Sequence, residues 1–414
     1  MTNRICIVIK ILAYCVIFVL TGKLFYDLGN PPDWLRFNDF YIHIGWAYNA
    51  GIKDLLSPEN GLSYPLFHTA VHYISRFTVL TYPVSSAVVC SSSVVLSIFI
   101  LDHYMRRHLR ETSLHRLHIF GLSIGLTVYM SLYIPSVTQI YLGTISSQPW
   151  HNPTYLIMKP FAILCFFWFY DLFNTKKEEK IKILSKSVSK QNTNTVILAV
   201  FLLLSMSAKP SFFLVFGPAL GVFLIIEVIR SRFRIFPFAC KILIATVPSI
   251  ALLPLQYVLR WTSQDSSLIF APFVVWKLFS SNIPLSFVLS FAFPLFVCIL
   301  LRKSIIGDKL LFLSVITGVL GILEYVLLAE GGEWIVHGNM AWGSMSASMI
   351  LFIGCAIAFI KYVYECKTKE DACFLNGIRG YKWKAAFGFA LLLVHIATGV
   401  FYFFVQLSGG PSSF

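Results

Sequence analysis

The chain has 414 residues, of which 57% are hydrophobic and 13% charged, and its mean hydropathy is +0.74. This composition excludes a soluble globular protein, because apolar runs of about 17 to 24 residues, the length that crosses a bilayer, recur from end to end. The formal net charge of +14 does not indicate nucleic-acid binding, since the basic residues lie in short loops between the apolar runs.

Eleven apolar runs predict eleven transmembrane helices in a single all-α membrane domain over residues 1–414. The first run has no small-residue cleavage site after it, so we interpret it as a retained helix. The predicted spans are 5–27, 83–104, 117–135, 155–173, 195–208, 211–229, 236–259, 285–301, 309–328, 343–363 and 385–406. Two central spans are separated at Lys209-Pro210 because proline breaks a helix; one long tilted helix over 195–230 is the alternative.

Lysine and arginine residues concentrate in alternate loops. The five clusters are Arg106 to Arg116, Lys176 to Lys190, Arg230 to Lys241, Arg302 to Lys309 and Lys361 to Lys384. The positive-inside rule assigns these loops to the cytoplasm. The N-terminus is therefore expected to be cytoplasmic and the C-terminus to lie outside.

The longest predicted outer loop covers residues 29–82 and contains a second apolar stretch, 64–78. Basic side chains recur on this stretch every four residues, at His68, His72 and Arg76. We expect a juxtamembrane helix on the outer leaflet, with these side chains facing lipid headgroups or a lipid phosphate. The two histidines also have metal-ligand spacing, but no third ligand is identifiable, so no metal site is predicted.

The predicted outer loops combine Trp and Tyr with His, Asn and single charges. Aromatic faces stack on sugars, and amides and carboxylates bind sugar hydroxyls. An aromatic belt at the membrane surface is the alternative, although it explains only the aromatic residues. The candidate substrate-binding residues in these loops are Arg36, His43, His68, His72, Trp150, His151, Asn152, Glu330, Glu333, His337 and Asn339.

The order of features along the chain resembles the GT-C superfamily of polyprenyl-phosphate-sugar-dependent glycosyltransferases. A first transmembrane helix leads to a long outer loop with Asp39 near the membrane, then to a helix that opens at Pro65 and a span that ends at Arg106-Arg107. Lys209 is similar to a lysine between two central helices in several of those enzymes. The loop at Trp150-His-Asn-Pro-Thr154 resembles loops in bacterial O-antigen-modifying, or serotype-converting, glucosyltransferases.

The resemblance implies an inverting transfer of one hexose, glucose, from a polyprenyl-phosphate donor to a lipid-linked or polymeric envelope glycan such as O-antigen. It implies the periplasmic face of a bacterial inner membrane, although an endoplasmic reticulum would satisfy the same topology. A donor synthase and a flippase are the expected partners, and no cofactor is expected. Many members carry a second carboxylate beside the Asp of the first loop. Asn38 stands there in this chain, which disfavours metal-dependent chemistry.

The chemistry of such a transfer assigns roles to individual residues. A sugar on a lipid phosphate has a leaving group, so the protein supplies a general base for the acceptor hydroxyl and cations for the phosphate. Asp39 is the predicted base, with helix capping as the alternative. His43, one helical turn later, is expected to orient Asp39 or to bind the acceptor.

Basic residues near the predicted outer membrane edge are few. Lys159 and Lys209 are predicted phosphate ligands, because an ammonium at such a depth is costly without a partner. Arg260 is a third, because its guanidinium can bind a phosphate through two hydrogen bonds. The alternatives are snorkelling for the lysines and a rim charge for Arg260. Glu330, Glu333 and His337 are expected to bind acceptor hydroxyls or to act as a second acid or base. Glu324, nearer the membrane interior, is expected to pair within the bundle.

Two other functions fit a polytopic envelope protein. An O-antigen polymerase usually carries its large outer loops later in the chain. A flippase or transporter of lipid-linked sugar usually shows repeated halves with broken helices and ionisable residues at mid-membrane. The polar residues of this chain concentrate at one predicted membrane edge, which favours the transferase.

Overall fold

The computed structural model describes residues 3–32, 38–51, 63–176, 179–183, 186–261, 267–372 and 381–410. The protein is an all-α, polytopic membrane protein, as its sequence predicted. Within the described ranges, ten helices are long and apolar enough to cross a membrane. Each of these ten coincides with a predicted span.

The elements follow one another in an almost uninterrupted series of helices. They are α1 (Asn3–Gly29), α2 (Asp39–Ala47), α3 (Leu66–Phe77), α4 (Tyr82–His108), α5 (Arg116–Val128), α6 (Pro153–Phe173), β1 (Lys180–Ile183), β2 (Lys186–Ser189), α7 (Lys190–Ala208), α8 (Ser211–Arg230), α9 (Phe236–Trp261), β3 (Leu268–Phe270), α10 (Val274–Phe279), α11 (Ile283–Leu300), α12 (Lys309–Leu327), β4 (Leu328–Glu330), a 3-10 helix (Gly332–His337), α13 (Ala341–Ala372) and α14 (Tyr381–Leu407). Strands β1 and β2 form one antiparallel hairpin, and β3 and β4 form another pair.

The span predicted at 117–135 is only partly helical. Helix α5 ends at Val128, and the chain then continues as an irregular stretch, 129–152, which we call the buried segment. Its backbone bonds to other helices: Met130 N–H donates to His395 O at 3.1 Å and Leu132 N–H to Leu289 O at 3.0 Å. Non-helical backbone is tolerated at membrane depth where it is enclosed by protein that accepts its hydrogen bonds, and hydropathy does not detect this.

The predicted break between two central helices is confirmed. Helix α7 ends at Ala208 and α8 begins at Ser211, with Lys209 and Pro210 between them. The single long helix considered as an alternative is therefore excluded. The break turns the chain back on itself and leaves Lys209 at the tip of the hairpin.

The five basic clusters gather at one end of the bundle. Contacts join neighbouring clusters: Arg230 bonds to Ile306 O at 3.0 Å, and Lys241 bonds to Gln191, the neighbour of Lys190, at 3.2 Å. One cavity is lined by Arg107, Lys190 and Lys361, and another by Arg302 and Lys384. We call this the basic end, and the opposite end, which carries α2, the Asp39 end. The alternation of loops inferred from charge is thus reproduced by the packing.

Helices α12 and α13 pack closely because small residues face each other. A Cβ added at Gly321 would lie 2.4 Å from the Cβ of Ala347. In a membrane, small residues at a contact let helix backbones approach and gain van der Waals packing. The close packing of α12 on α13 sets the positions of the side chains that these helices carry at the Asp39 end.

Candidate functional site

Asp39 is the first residue of α2, and its carboxylate is directed at α6. Asn38 is the N-cap of α2, since its side chain accepts a hydrogen bond from Tyr41 N–H at 2.9 Å. Asp39 Oδ2 instead accepts from Asn152 Nδ2 at 2.9 Å. The capping role considered for Asp39 therefore belongs to Asn38, and the carboxylate is available for another task.

The Asn152 side chain lies between Asp39 and Lys209. Its Oδ1 caps α6 by accepting from Tyr155 N–H at 2.9 Å, and it also accepts from Thr154 Oγ1 at 2.9 Å. Lys209 Nζ donates to the same Oδ1 at 3.4 Å. These donors fix the orientation of the amide, so its N–H group must point the other way, toward Asp39.

Lys209 is only 6% exposed, and aromatic rings surround its ammonium group. Nζ lies 4.5 Å from the centroid of the Trp342 ring and 5.5 Å from that of Tyr64. Such contacts stabilise a cation that has been removed from water. Trp342 was not predicted as a site residue. Its position directly after the loop that holds Glu330 and Asn339 could have indicated that it belongs to the site.

Trp342 extends the network to a second carboxylate. Its Nε1 donates to Asn339 Oδ1 at 3.3 Å, and Asn339 Nδ2 donates to Glu330 Oε2 at 2.5 Å. We call the connected group the polar cluster. Its members are Asp39, Asn152, Lys209, Trp342, Asn339 and Glu330. Five of the six were predicted site residues, from four segments far apart in sequence.

His151 borders the polar cluster. Its ring centroid lies 4.8 Å from that of Tyr141 and 6.0 Å from that of Trp342. Burial lowers the pKa of His151, and the charge of Lys209 lowers it further, while the negative charge of Asp39 acts in the opposite direction. The imidazole is therefore neutral at pH 7 and can offer a hydrogen bond without adding charge.

The histidines of α2 and α3 bind each other, which differs from the expected outward stripe. His68 is 1% exposed, and its Nε2 lies 2.8 Å from His43 Nδ1. Burial lowers the pKa of His68 to about 3, so it is neutral. His72 Nδ1 lies 3.0 Å from Ala47 O. The expectation that His68 faces lipid is wrong because α3 turns this side chain inward to tie the helix to α2.

Two further predicted site residues are structural. Lys159 is 2% exposed, and its Nζ donates to Thr127 O at 3.1 Å and to Gln148 Oε1. It therefore satisfies a carbonyl in the last turn of α5 and neither reaches a phosphate nor snorkels to the surface. Trp150 is also buried, with its ring centroid 5.1 Å from that of Phe403. It packs inside the bundle and presents no face to a sugar.

The remaining predicted site residues are either exposed or lie outside the described part of the structure. Glu333 and His337 are exposed on the 3-10 helix, where the His337 ring centroid lies 4.9 Å from that of Trp334. Arg36 lies outside the described residues. Arg260 falls in the last turn of α9, and its side chain lies outside the described part.

A cavity of about 840 Å³ lies between α8, α9 and α12, and we call it the apolar groove. Most of its lining side chains are apolar, among them Leu253 and Leu323. At the Asp39 end it is lined by Tyr64 and by Pro210, the neighbour of Lys209. A smaller cavity of about 300 Å³ continues between α8 and α9 and shares several lining residues with it. An apolar channel therefore runs along the bundle to the cationic edge of the polar cluster.

No protein-family profile matches the chain, and no curated protein is significantly similar to it. A function for this protein therefore has to be sought in the chemistry of the polar cluster and the apolar groove.

Proposed function

We propose that the protein is an inverting glycosyltransferase that moves one hexose, glucose, from a polyprenyl-phosphate donor to a lipid-linked or polymeric envelope glycan such as O-antigen. One observation carries the proposal. A carboxylate, Asp39, and an ammonium, Lys209, bond to opposite sides of one amide at the end of an apolar groove. A base, a phosphate ligand and a lipid channel are the three parts that the reaction requires.

The donor would enter through the apolar groove. A polyprenyl chain is a hydrocarbon and gains free energy by lying against apolar side chains such as Leu253 and Leu323. Its phosphate would stop at Lys209, the nearest cation described at the Asp39 end of the groove. Trp342 and Tyr64 shield that ammonium from water, which strengthens its attraction for an anion.

The reaction would proceed by a single displacement. Asp39 takes the proton of an acceptor hydroxyl as its oxygen attacks the anomeric carbon. The bond between that carbon and the phosphate oxygen breaks, and Lys209 stabilises the charge on the departing phosphate. Asn152 holds Asp39 in place without neutralising it. Because the acceptor attacks opposite the leaving group, a β-linked donor would give an α-linked product.

The same proposal includes an orientation. The basic end would face the cytoplasm of a bacterial cell, by the positive-inside rule, and the polar cluster would face the periplasm of the inner membrane. The N-terminus would then be cytoplasmic and the C-terminus periplasmic. A synthase would make the donor lipid, and a flippase would bring it across the membrane.

The deciding experiment follows transfer of labelled glucose from polyprenyl-phosphate-glucose to envelope glycan in membranes that contain equal amounts of each variant. Asp39→Asn should abolish transfer. Asp27→Asn should retain it, because Asp27 is exposed and pairs with Lys23 on α1. Equal transfer by Asp39→Asn and wild type would remove Asp39 from the mechanism. No transfer by the wild type would favour a polymerase or a transporter, and uptake into vesicles would separate those two.

A further inference from the structure

We infer that Glu324 and Gln256 bind hydroxyl groups of the donor's sugar and so determine which sugar is accepted. This inference rests on the proposed function. Both residues line the apolar groove, and each has a buried oxygen without a hydrogen-bond partner among the described residues: Oε2 of Glu324 and Oε1 of Gln256. Buried acceptors in an apolar wall destabilise a protein unless a ligand or water supplies donors.

The orientation of Gln256 follows from the break between α7 and α8. In a continuous helix Met206 O would accept a hydrogen bond from residue 210, but Pro210 has no N–H group. Gln256, which is 5% exposed, supplies the missing donor, with its Nε2 lying 2.9 Å from Met206 O. Only the NH₂ group can donate to a carbonyl, so Oε1 must point away from Met206. The backbone thus fixes the amide of a residue that lines the groove and leaves its Oε1 buried and unpaired.

Glu324 is held by the packing of α12 on α13. A Cβ added at Gly343 would lie 1.7 Å from Glu324 Oε2, so the carboxyl group occupies the space that a side chain there would fill. Gly343 follows Trp342, whose ring covers Lys209. Glu324 is therefore next to the polar cluster. Its Oε2 has no hydrogen-bond partner among the described residues, so this oxygen does not form the pair within the bundle that the sequence predicted.

The two unpaired acceptors can bind only one part of a sugar-bearing lipid, the part that has hydrogen-bond donors. A hydrocarbon tail has no hydrogen-bond donor, and an ionised phosphate offers only acceptors, so neither can pair with the free oxygens of Glu324 and Gln256. Sugar hydroxyls are donors. A site built to bond a hydroxyl discriminates strongly against a ligand that lacks it, because the buried acceptor is then left unpaired. Glu324 and Gln256 are therefore suited to the sugar, and Lys209 to the phosphate. Gln256 bonds to Met206 and Glu324 lies beside Gly343, so both are near the Lys209 end of the groove; the sugar would lie there, and the polyprenyl chain would occupy the rest of the groove.

The test is a pair of binding curves for the purified full-length protein. One ligand is bare polyprenyl phosphate, and the other is polyprenyl phosphate that carries glucose, galactose or mannose. Glu324→Leu keeps the side-chain size and removes the carboxyl group. It should weaken binding of at least one sugar-bearing lipid about tenfold and leave binding of the bare lipid unchanged. Leu323→Ala, on the same wall of the groove, should weaken both kinds of lipid alike.

Gln256→Leu should also weaken binding of the sugar-bearing lipid alone. Because this variant loses the bond to Met206 O, a melting curve is needed as a control for stability. Equal losses for bare and sugar-bearing lipids, or no loss in Glu324→Leu for any of the three sugars, would overturn the inference and leave the proposed function standing. A wild-type protein that binds neither kind of lipid would overturn both.

Discussion

At the scale of single residues, Asn152 has two separable roles. Its Oδ1 caps α6 and accepts from Lys209, and its Nδ2 donates to Asp39. Sequence reasoning could nominate Asn152 as a polar residue beside a helix start. It could not show that one amide connects a carboxylate to an ammonium, because the three residues are far apart in the chain.

Asn152→Asp should separate those roles. The new carboxylate can still cap α6 but is repelled by Asp39, so the melting temperature should fall less than in Asn152→Ala, which loses the cap. The carboxylate repels Asp39 and cannot donate to it, so glucose transfer should fall at least about tenfold. Melting curves and the transfer assay measure the two effects. Asn152→Ala, which loses both bonds, should lower stability and transfer together. Full transfer by Asn152→Asp would show that Asp39 needs no donor.

Lys209→Met should remove the phosphate ligand and keep the packing. The two side chains have similar length, and an uncharged one in this buried place avoids the desolvation of a charge. We expect binding of polyprenyl phosphate to weaken at least about tenfold, since a charge-assisted bond is lost. Lys277→Met, which changes an exposed lysine of α10, is the matched control. Equal affinity in both variants would place the phosphate elsewhere.

The buried pair of His43 and His68 should make stability depend on pH. Burial lowers the pKa of His68 from 6.5 to about 3 in the folded protein, so only the unfolded chain binds a proton between these values. The contribution of His68 to stability is complete above pH 6.5 and falls as the pH drops, by about 2 kcal/mol at pH 5. Denaturation at pH 7 and pH 5 measures this loss. His68→Gln should reduce the difference in stability between pH 7 and pH 5, and His337→Gln, at an exposed position, should leave it unchanged. Equal differences in the two variants would show that His68 is not responsible for the pH dependence.

The basic residues of α3 show where residue-level prediction fails. A spacing of four residues places His68, His72 and Arg76 on one face of α3, and that face exists. The pattern does not say whether the face meets solvent, lipid or protein, and His68 meets His43. The position of a lysine near a predicted helix end is equally ambiguous. Lys159 and Lys209 share this position, yet only Lys209 joins the polar cluster, whereas Lys159 bonds to Thr127 O.

At the scale of elements, hydropathy located the helices well and located one boundary poorly. Residues 117–135 are apolar on average, and the average is all that a hydropathy window measures. The helix ends at Val128 because partners elsewhere in the bundle bond the backbone on both sides of this point: Lys159 donates to Thr127 O in the last turn, and Met130 N–H beyond it donates to His395 O. Those partners lie in distant helices and leave no mark on the local sequence.

Lys159→Met should therefore destabilise the protein without changing its affinity for polyprenyl phosphate. The substitution leaves Thr127 O and Gln148 Oε1 without their buried donor, and each unpaired acceptor costs about 1 to 3 kcal/mol. Melting curves and lipid binding measure the two properties. Lys23→Met, in an exposed pair on α1, should have little effect on stability. A loss of lipid affinity in Lys159→Met at normal stability would return Lys159 to the binding site.

At the scale of the whole molecule, charge and hydropathy together predicted which loops share an end. The five basic clusters do gather at one end, and the hairpin at Lys209-Pro210 makes this possible. The meeting of four segments in the polar cluster was not predictable in detail. It depends on how helices pack laterally, and neither charge nor hydropathy reports this.

Labelling of single cysteines should test the proposed orientation. In a background in which the native cysteines are replaced, Glu333→Cys at the Asp39 end should react with a membrane-impermeant maleimide from outside spheroplasts. Arg302→Cys at the basic end should react only after lysis, because both residues are exposed but lie at opposite ends of the bundle. Reaction of Arg302→Cys in intact spheroplasts would invert the orientation and remove the periplasmic site from the proposal.

The buried segment also constrains the order in which the chain can be assembled during biosynthesis. Met130 bonds to His395, which the ribosome adds 265 residues later, in the last helix. Until α14 is inserted, the backbone after α5 lacks this partner, and its apolar sequence favours a longer helix. Asn152 is the last residue of the same segment, so the arrangement around Asp39 is completed only after α14 has been inserted. A nascent chain that stalls before α14 would thus be inserted and yet lack this arrangement.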